Sequence, residues 1–352
     1  MNEDSEYSAV AVMDVNGDGV LDIVCGGWWY EGPGWERHFL REVAEIRGRY
    51  DGYSHLPYDV DGDGWTDFIN VNYRSESIFW VEHPGEALGE GGVWKRRVIA
   101  LPGPMETGRL VDVDGDGNLD ILPNGRRFAA WWQFEREQDE SGTWKRRFVK
   151  RDLPVEVAGH GLGFGDVNGD GRGDVVGPTG WLEAPEDRVT GEWIWHGDFE
   201  LDRDASVPVI VMDVDGDGDA DLIWGRGHDY GIYWLEQGDG GTWERHVIDE
   251  SWSQAHALLW EDLDGDGREW LISGKRYMAH DGKDPGAHDP LGVYAYRYEP
   301  EEGEWERRVI CEGGGVGFGL DPKAADLDGD GDTDLVVSGR SGLYWLENLK
   351  ED

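Results

Sequence analysis

One nine-residue pattern, Asp-x-Asp/Asn-Gly-Asp-Gly-x-x-Asp, recurs seven times in this chain of 352 residues, beginning at Asp14, Asp59, Asp112, Asp166, Asp213, Asp262 and Asp326. The copies are 45, 53, 54, 47, 49 and 64 residues apart. A repeat of about 40 to 50 residues is one supersecondary unit that cannot bury its apolar face alone, so the units must stack in an array or close into a ring. Each unit has the same internal order. An alternating apolar stretch precedes the pattern, as in Ala9-Val10-Ala11-Val12-Met13, and a second follows it, as in Leu222-Ile223-Trp224. A third is aromatic and ends in glutamate, as in Trp28-Trp29-Tyr30-Glu31 and Tyr344-Trp345-Leu346-Glu347. A fourth, Trp-x-Arg-His/Arg-Val-Ile, recurs at Trp35, Trp94, Trp144, Trp243 and Trp305, with a looser version around Trp193. Period-2 alternation in four short runs per unit predicts four strands. The expectation is an all-β chain, with residues 1–352 forming a single seven-bladed β-propeller. The seventh unit runs out after its third strand, so blade seven is expected to be short or to borrow a fragment of the N-terminus.

Composition agrees. Fifty-five glycines supply turns, and 20 tryptophans favour pleated, half-buried strands. The formal net charge of −43 argues against nucleic acid or an anionic membrane as partner. Cys25 and Cys311 are the only cysteines, so there is no disulfide framework. No apolar run approaches the roughly 20 residues of a membrane span, and no signal peptide is visible at Met1.

The aspartate pattern carries chemistry as well as turns. Acids or amides at positions one, three, five and nine place oxygens round one centre, and glycines at four and six let the backbone fold over it. Calcium takes about six to eight such ligands. The expected ligands are Asp14, Asn16, Asp18 and Asp22; Asp59, Asp61, Asp63 and Asp67; Asp112, Asp114, Asp116 and Asp120; Asp166, Asn168, Asp170 and Asp174; Asp213, Asp215, Asp217 and Asp221; Asp262, Asp264 and Asp266; and Asp326, Asp328, Asp330 and Asp334. An EF-hand is excluded, because position twelve holds Cys25, Asn70 and Pro123 in the first three copies. Copy six departs, with Trp270 at position nine and Glu269 one residue early, so its site is expected to be weak or rearranged. Weak calcium sites of this kind favour an extracellular or periplasmic setting.

These repeats resemble the FG-GAP/VCBS repeats of integrin-α-like propellers. In such a fold the first strand of each blade is innermost. The aspartate loops then lie at one end of the channel, termed the bottom, and the starts of the first strands and the loops between second and third strands lie at the top.

Three histidines fall at first-strand starts: His160 and His256 each lie six residues before the pattern, and His55 lies four before it. Even offsets place them on one strand face. Arg109 lies an odd three before and is expected to point elsewhere or to bind substrate. The loops between second and third strands add Arg74, Arg126, Arg127, Arg226, His228, Lys275, Arg276, Tyr277, His280 and Arg340. Gln254-Ala255-His256-Ala257, the insertion Gly274–Gly286 and Gly159-His160-Gly161 resemble the propeller domain of aldos-2-ulose dehydratase, and propeller polysaccharide lyases are a nearby comparison. That resemblance implies a sugar on the top face and loss of a C–O bond, either β-elimination on a uronate-containing glycan or dehydration of a keto-sugar.

Such chemistry needs a base, a cation for the enolate and an acid for the leaving oxygen. His160 or His256 is the expected base and Tyr277 the acid. Lys275, Arg276 and Arg226 are expected to hold the anion, with Arg126, Arg340, His280, Tyr53 and Tyr230 as further substrate contacts. A rival assignment has His55, His160 and His256 ligating one metal ion. The alternative function is a non-catalytic glycan- or protein-binding propeller. A hydrolase would want a carboxylate pair, which Glu106 and Asp229 do not obviously form.

Overall fold

In the computed structural model, which describes residues 1–138, 144–238 and 240–349, the chain forms seven antiparallel sheets of sequential strands. Six have four strands and one has three. The innermost strands are Val10–Met13, Leu56–Tyr58, Met105–Val111, Gly163–Gly165, Ile210–Met212, Ala255–Glu261 and Lys323–Ala325. Each runs into an aspartate loop and returns as the second strand. In blade one the pairs Val10–Cys25 and Met13–Asp22 bracket the loop. Seven hydrophobic clusters fill the ring, most of them joining side chains of adjacent blades, as where Phe68 and Phe79 of blade two pack with Ala11 and Val24 of blade one. Burial of these faces between neighbours is what makes the ring one body.

Blade seven has three strands among the described residues, ending in Gly342–Leu346. Its outer edge is met by the N-terminus. The Asn2 N–H donates to the Leu343 carbonyl at 3.1 Å, and the Leu343 N–H donates back to Asn2 at 2.8 Å. The ring is therefore clasped by the first residues of the chain, as its strand count required.

The loop chemistry explains the pattern. Both glycines of each copy hold positive φ, as at Gly17 (75°) and Gly19 (86°), which few other residues adopt. The position-one carboxylate caps the turn: Asp14 accepts the N–H groups of Gly17, Asp18 and Gly19. The buried position-nine carboxylate is a staple. Asp22 accepts the N–H of Val15 at 2.8 Å and of Gly32 at 2.8 Å, tying the loop to the end of the third strand. Asp67, Asp120, Asp174, Asp221 and Asp334 repeat this.

Blade six is rearranged. Trp270 is fully buried in place of the ninth aspartate, and its Nε1–H donates to Asp264 at 3.0 Å. The guanidinium groups of Arg297 and Arg308 lie 4.3 and 4.1 Å from the Trp270 ring centre, and Arg308 donates to Asp264 at 2.7 Å. In this loop, arginines supply the positive charge that faces the acids.

Candidate functional site

The tops of blades three to six converge on one cluster. Glu106 comes from the innermost strand of blade three and His256 from that of blade six. His160 precedes the first strand of blade four, and His228 lies in the loop after the second strand of blade five. One ligand-type atom from each of the four lies within 4.8 Å of the others. His160 Nε2 is 2.7 Å and His256 Nε2 3.4 Å from Glu106 Oε2. The ring centres of His160, His228 and His256 are 4.9 to 5.4 Å apart. Outside the cluster, His160 Nδ1–H donates to the Ala205 carbonyl at 2.6 Å and His228 Nδ1–H to Asp284 at 2.9 Å. Asp284 also accepts from His280 Nδ1–H at 2.9 Å, and the His280 ring stacks on His228 at 4.4 Å.

Burial alone would raise the Glu106 carboxyl, but the charge of His160, with the His256 ring beside it, holds it well below the usual carboxylate range. Burial drives His256 down to about 3, so it is neutral. Burial also lowers His228, reinforced by His160, whereas Glu106 overcomes burial and raises His160.

The cluster lies at a pocket of about 660 Å³, lined by Glu106, His160, His228, His280, Asp204, Asp281 and Asp284, by the cations Arg49, Arg74, Arg126, Arg203, Arg276 and Lys283, and by Tyr53 and Tyr73. Arg74 Nε and Arg276 Nη1 are buried with no hydrogen-bond partner among the described residues. Arg126 donates to the Tyr73 hydroxyl at 2.9 Å.

The residues expected from sequence divide. His160, Arg276, Arg126, His280 and Tyr53 line the pocket, and His256 is fully buried behind it, against Glu106. His55 is not with the other histidines: its buried ring lies 5.0 Å from Phe68, and burial, with Arg41 and Lys323 nearby, keeps it neutral. Lys275 is buried, and its Nζ donates to Ser253 Oγ and the Gly286 carbonyl, both at 2.6 Å, which ties down the blade-six insertion instead of facing a ligand. Arg226 pairs with Asp204 at 2.9 Å and Asp229 at 3.2 Å and lies outside the pocket lining. Tyr230 donates to Asp289 at 2.5 Å. Tyr277 and Arg340 line a narrow neighbouring crevice, with Arg340 donating to the Met278 carbonyl at 2.9 Å. Arg109 lies outside the pocket lining, its guanidinium donating to the Gly108 and Val207 carbonyls. Glu106 and His228 were visible in the sequence without being assigned to a shared centre. Arg49 and Arg203 belong to connections between blades, where no repeat marks them.

At the bottom, one oxygen each from Asp59, Asp61 and Asp67 lies within 4.8 Å of the others, as do those of Asp112, Asp114 and Asp120 and of Asp213, Asp215 and Asp221. Burial first, and neighbouring acids second, push Asp67 up to about 7. An all-oxygen donor set with crowded negative charge fits calcium.

Residues 213–269 match the FG-GAP-like repeat family. Among solved structures, the chain is similar to the Agrocybe aegerita lectin described as recognising non-reducing terminal N-acetylglucosamine, with TM-score 0.52, 15% identity, and coverage of 98% of this chain and 91% of that one. It is also similar to rhamnogalacturonan lyase YesW (TM-score 0.48, 14% identity, 97% and 72% covered) and to the Vibrio cholerae biofilm matrix protein Bap1 (0.43, 14%, 96% and 78%). At these identities the likeness is one of fold. No curated protein sequence matches the chain.

Proposed function

We propose that this protein is a carbon–oxygen lyase acting on an anionic or keto-sugar in the top pocket, with calcium in the aspartate loops holding the scaffold. One observation carries the reading. A chain of net charge −43 gathers six arginine and lysine side chains round a histidine–glutamate floor, and leaves one buried guanidinium nitrogen each of Arg74 and Arg276 without a hydrogen-bond partner among the described residues. Unpaired buried donors are costly unless a ligand takes them, and guanidinium forks suit a carboxylate.

In this reading Arg74, Arg126 and Arg276 hold the carboxylate or carbonyl oxygen and stabilise the enolate. His280 is the base. Asp284 accepts its Nδ1–H, which leaves the Nε2 lone pair free at the pocket mouth. The base takes the proton α to the carbonyl carbon, the C–H electron pair becomes the new C=C bond, and the β C–O bond breaks. Tyr53, whose phenol is kept protonated chiefly by burial, gives its proton to the leaving oxygen. His256 is fully buried and cannot reach a sugar.

The second reading is a non-catalytic glycan-binding propeller. Tyr53 and Tyr73, with ring centres 6.5 Å apart, offer a stacking surface for a sugar ring, and the lectin named above has the same fold. Ultraviolet absorbance of the unsaturated product, followed on a panel of uronate glycans and keto-sugars with calcium present, separates the two. Turnover that falls at least about 100-fold in His280→Ala and Arg276→Ala supports the lyase. No product from any sugar that calorimetry shows to bind overturns it in favour of the glycan-binding module.

A further inference from the structure

We propose that the open outer edge of blade seven is a docking site for an extended basic peptide segment, which adds there as a fourth strand and sets a histidine or arginine opposite Trp345.

Five blades show what that edge lacks. In each, a third-strand tryptophan faces a basic side chain of the fourth strand across the ladder: Trp29 faces His38, Trp80 faces Arg97, Trp131 faces Arg151, Trp181 faces His196 and Trp234 faces His246. The same basic group bonds the acid or amide two residues beyond the tryptophan. His38 donates to Glu31 at 2.8 Å, Arg97 to Glu82 at 2.5 Å, Arg151 to Gln133 at 2.8 Å, His196 to Glu183 at 2.8 Å and His246 to Glu236 at 2.7 Å. The three histidine rings lie 4.3 to 4.7 Å from the ring centres of their tryptophans. Blade six departs, with Ala295 opposite Arg308. Blade seven keeps the first half of the arrangement. Trp345 pairs with Val336 as Trp234 pairs with Ile223, and Glu347 follows two residues on.

Among the described residues, nothing supplies the second half. Trp35 of blade one touches Trp345 with ring centres 5.1 Å apart, but this is the contact that Trp305 of blade six makes with Trp234 at 6.2 Å, beside which His246 still has its place. The Trp345 Nε1–H has no hydrogen-bond partner, and Glu347 has no ion pair among the described residues. Trp345 is half-buried and Glu347 exposed, whereas Trp29 and Trp234 are buried. The backbone is open as well. Asn2 and Leu343 exchange N–H···O bonds, so the alternation of an antiparallel strand turns the N–H and C=O of Trp345 to the same outer side, where no described residue bridges them. An unpaired edge of this kind accepts an added strand through main-chain bonds, and its side chains select the sequence. Charge names the occupant. Glu3 lies beside Gly342 at one end of the edge, and Glu347 stands at the other. A second copy set edge to edge would bring these acids together on chains of net charge −43, so the fitting partner is basic.

The test uses the full chain in calcium and a fluorescent synthetic peptide with the sequence of residues 242–249, Thr-Trp-Glu-Arg-His-Val-Ile-Asp, which is fourth-strand sequence from blade five. Polarisation and calorimetry should give saturable binding of one peptide per chain. Replacing the peptide histidine by arginine should keep the affinity. Replacing it by glutamate should weaken binding at least about tenfold, as should Glu347→Lys in the protein. Glu347 is exposed and lies beyond the last strand, so its variant keeps the fold, which thermal unfolding verifies. Hydrogen exchange of the Trp345 amide should slow in the complex. Four results overturn the docking site: no saturable binding up to about 1 mM peptide; equal binding of a scrambled peptide, which is adsorption to an acidic surface; affinity unchanged in Glu347→Lys; or a dimer in sedimentation that excludes the peptide, which places a second copy on the edge.

Discussion

The Arg109 guanidinium donates to the Val207 carbonyl at 2.8 Å, reaching from blade three across the channel to the start of blade five. The same group lies 3.7 Å from Asp321 of blade seven, which Lys323 also approaches at 2.5 Å and to which the His55 N–H donates at 2.8 Å. Four blades are thus tied across the middle of the ring. The channel is bolted there, and a ligand in the top pocket enters and leaves from the top.

This makes Arg109 a strut and not a substrate contact. Arg109→Met should lower stability by about 1–3 kcal/mol, because Asp321 stays buried with one cation fewer. Thermal unfolding should move while KM for a substrate of the top pocket should not. A large KM change with unchanged stability would return Arg109 to the site.

Chelation tests the bottom loops. With carboxylates of Asp59, Asp61 and Asp67 drawn within 4.8 Å of one another, and equivalent groups in blades three and five, removal of calcium should leave repulsion uncompensated. EDTA is expected to lower Tm by several degrees or more, and excess calcium to restore it. A melting curve indifferent to both would remove calcium from the account.

Blade six should hold without an ion. Its stability rests on Trp270, fully buried beneath Arg297 and Arg308. Trp270→Ala should cost about 3–5 kcal/mol whether calcium or EDTA is present. A cost confined to one of the two conditions would contradict the idea that arginines replace the cation there.

His55 gives the fold an acid sensitivity. Burial, then Arg41 and Lys323, depress its pKa well below the ordinary 6.5. The unfolded chain therefore takes up a proton near 6.5 that the folded one refuses. Stability is complete above that value and is lost as pH falls toward the depressed folded value. Between about pH 7.5 and pH 5, Tm of the unmodified protein should fall more steeply than that of His55→Gln. Parallel slopes would show that other groups dominate.

The fold was legible because its turns are chemically exacting. Positive φ at two glycines and a capping carboxylate recur at fixed positions, so seven copies could be counted without coordinates. That blade seven has three strands among the described residues was legible for the same reason. The top face was less so. His160 and His256 share an offset of six from their patterns and meet with ring centres 4.9 Å apart, whereas His55, at four, turns back against Phe68. Strand parity holds only inside a strand, and His55 precedes Leu56–Tyr58. Lys275 shows a second limit: its sequence position is at the rim, but Ser253 and Gly286 claim its ammonium group. Glu106 could not be paired in advance with His228, since only closure of the ring brings blades three and five together.

The aspartate loops and the arginine-lined pocket occupy opposite ends of one short cylinder. Such a body has a permanent electric polarity along its axis. Any anion approaching from solution should be turned away by the loop end and less repelled, or drawn in, at the other. On a positively charged support the molecule should settle loops down, pocket outward, and calcium in the loops, by weakening the negative pole, should loosen that orientation without altering the pocket.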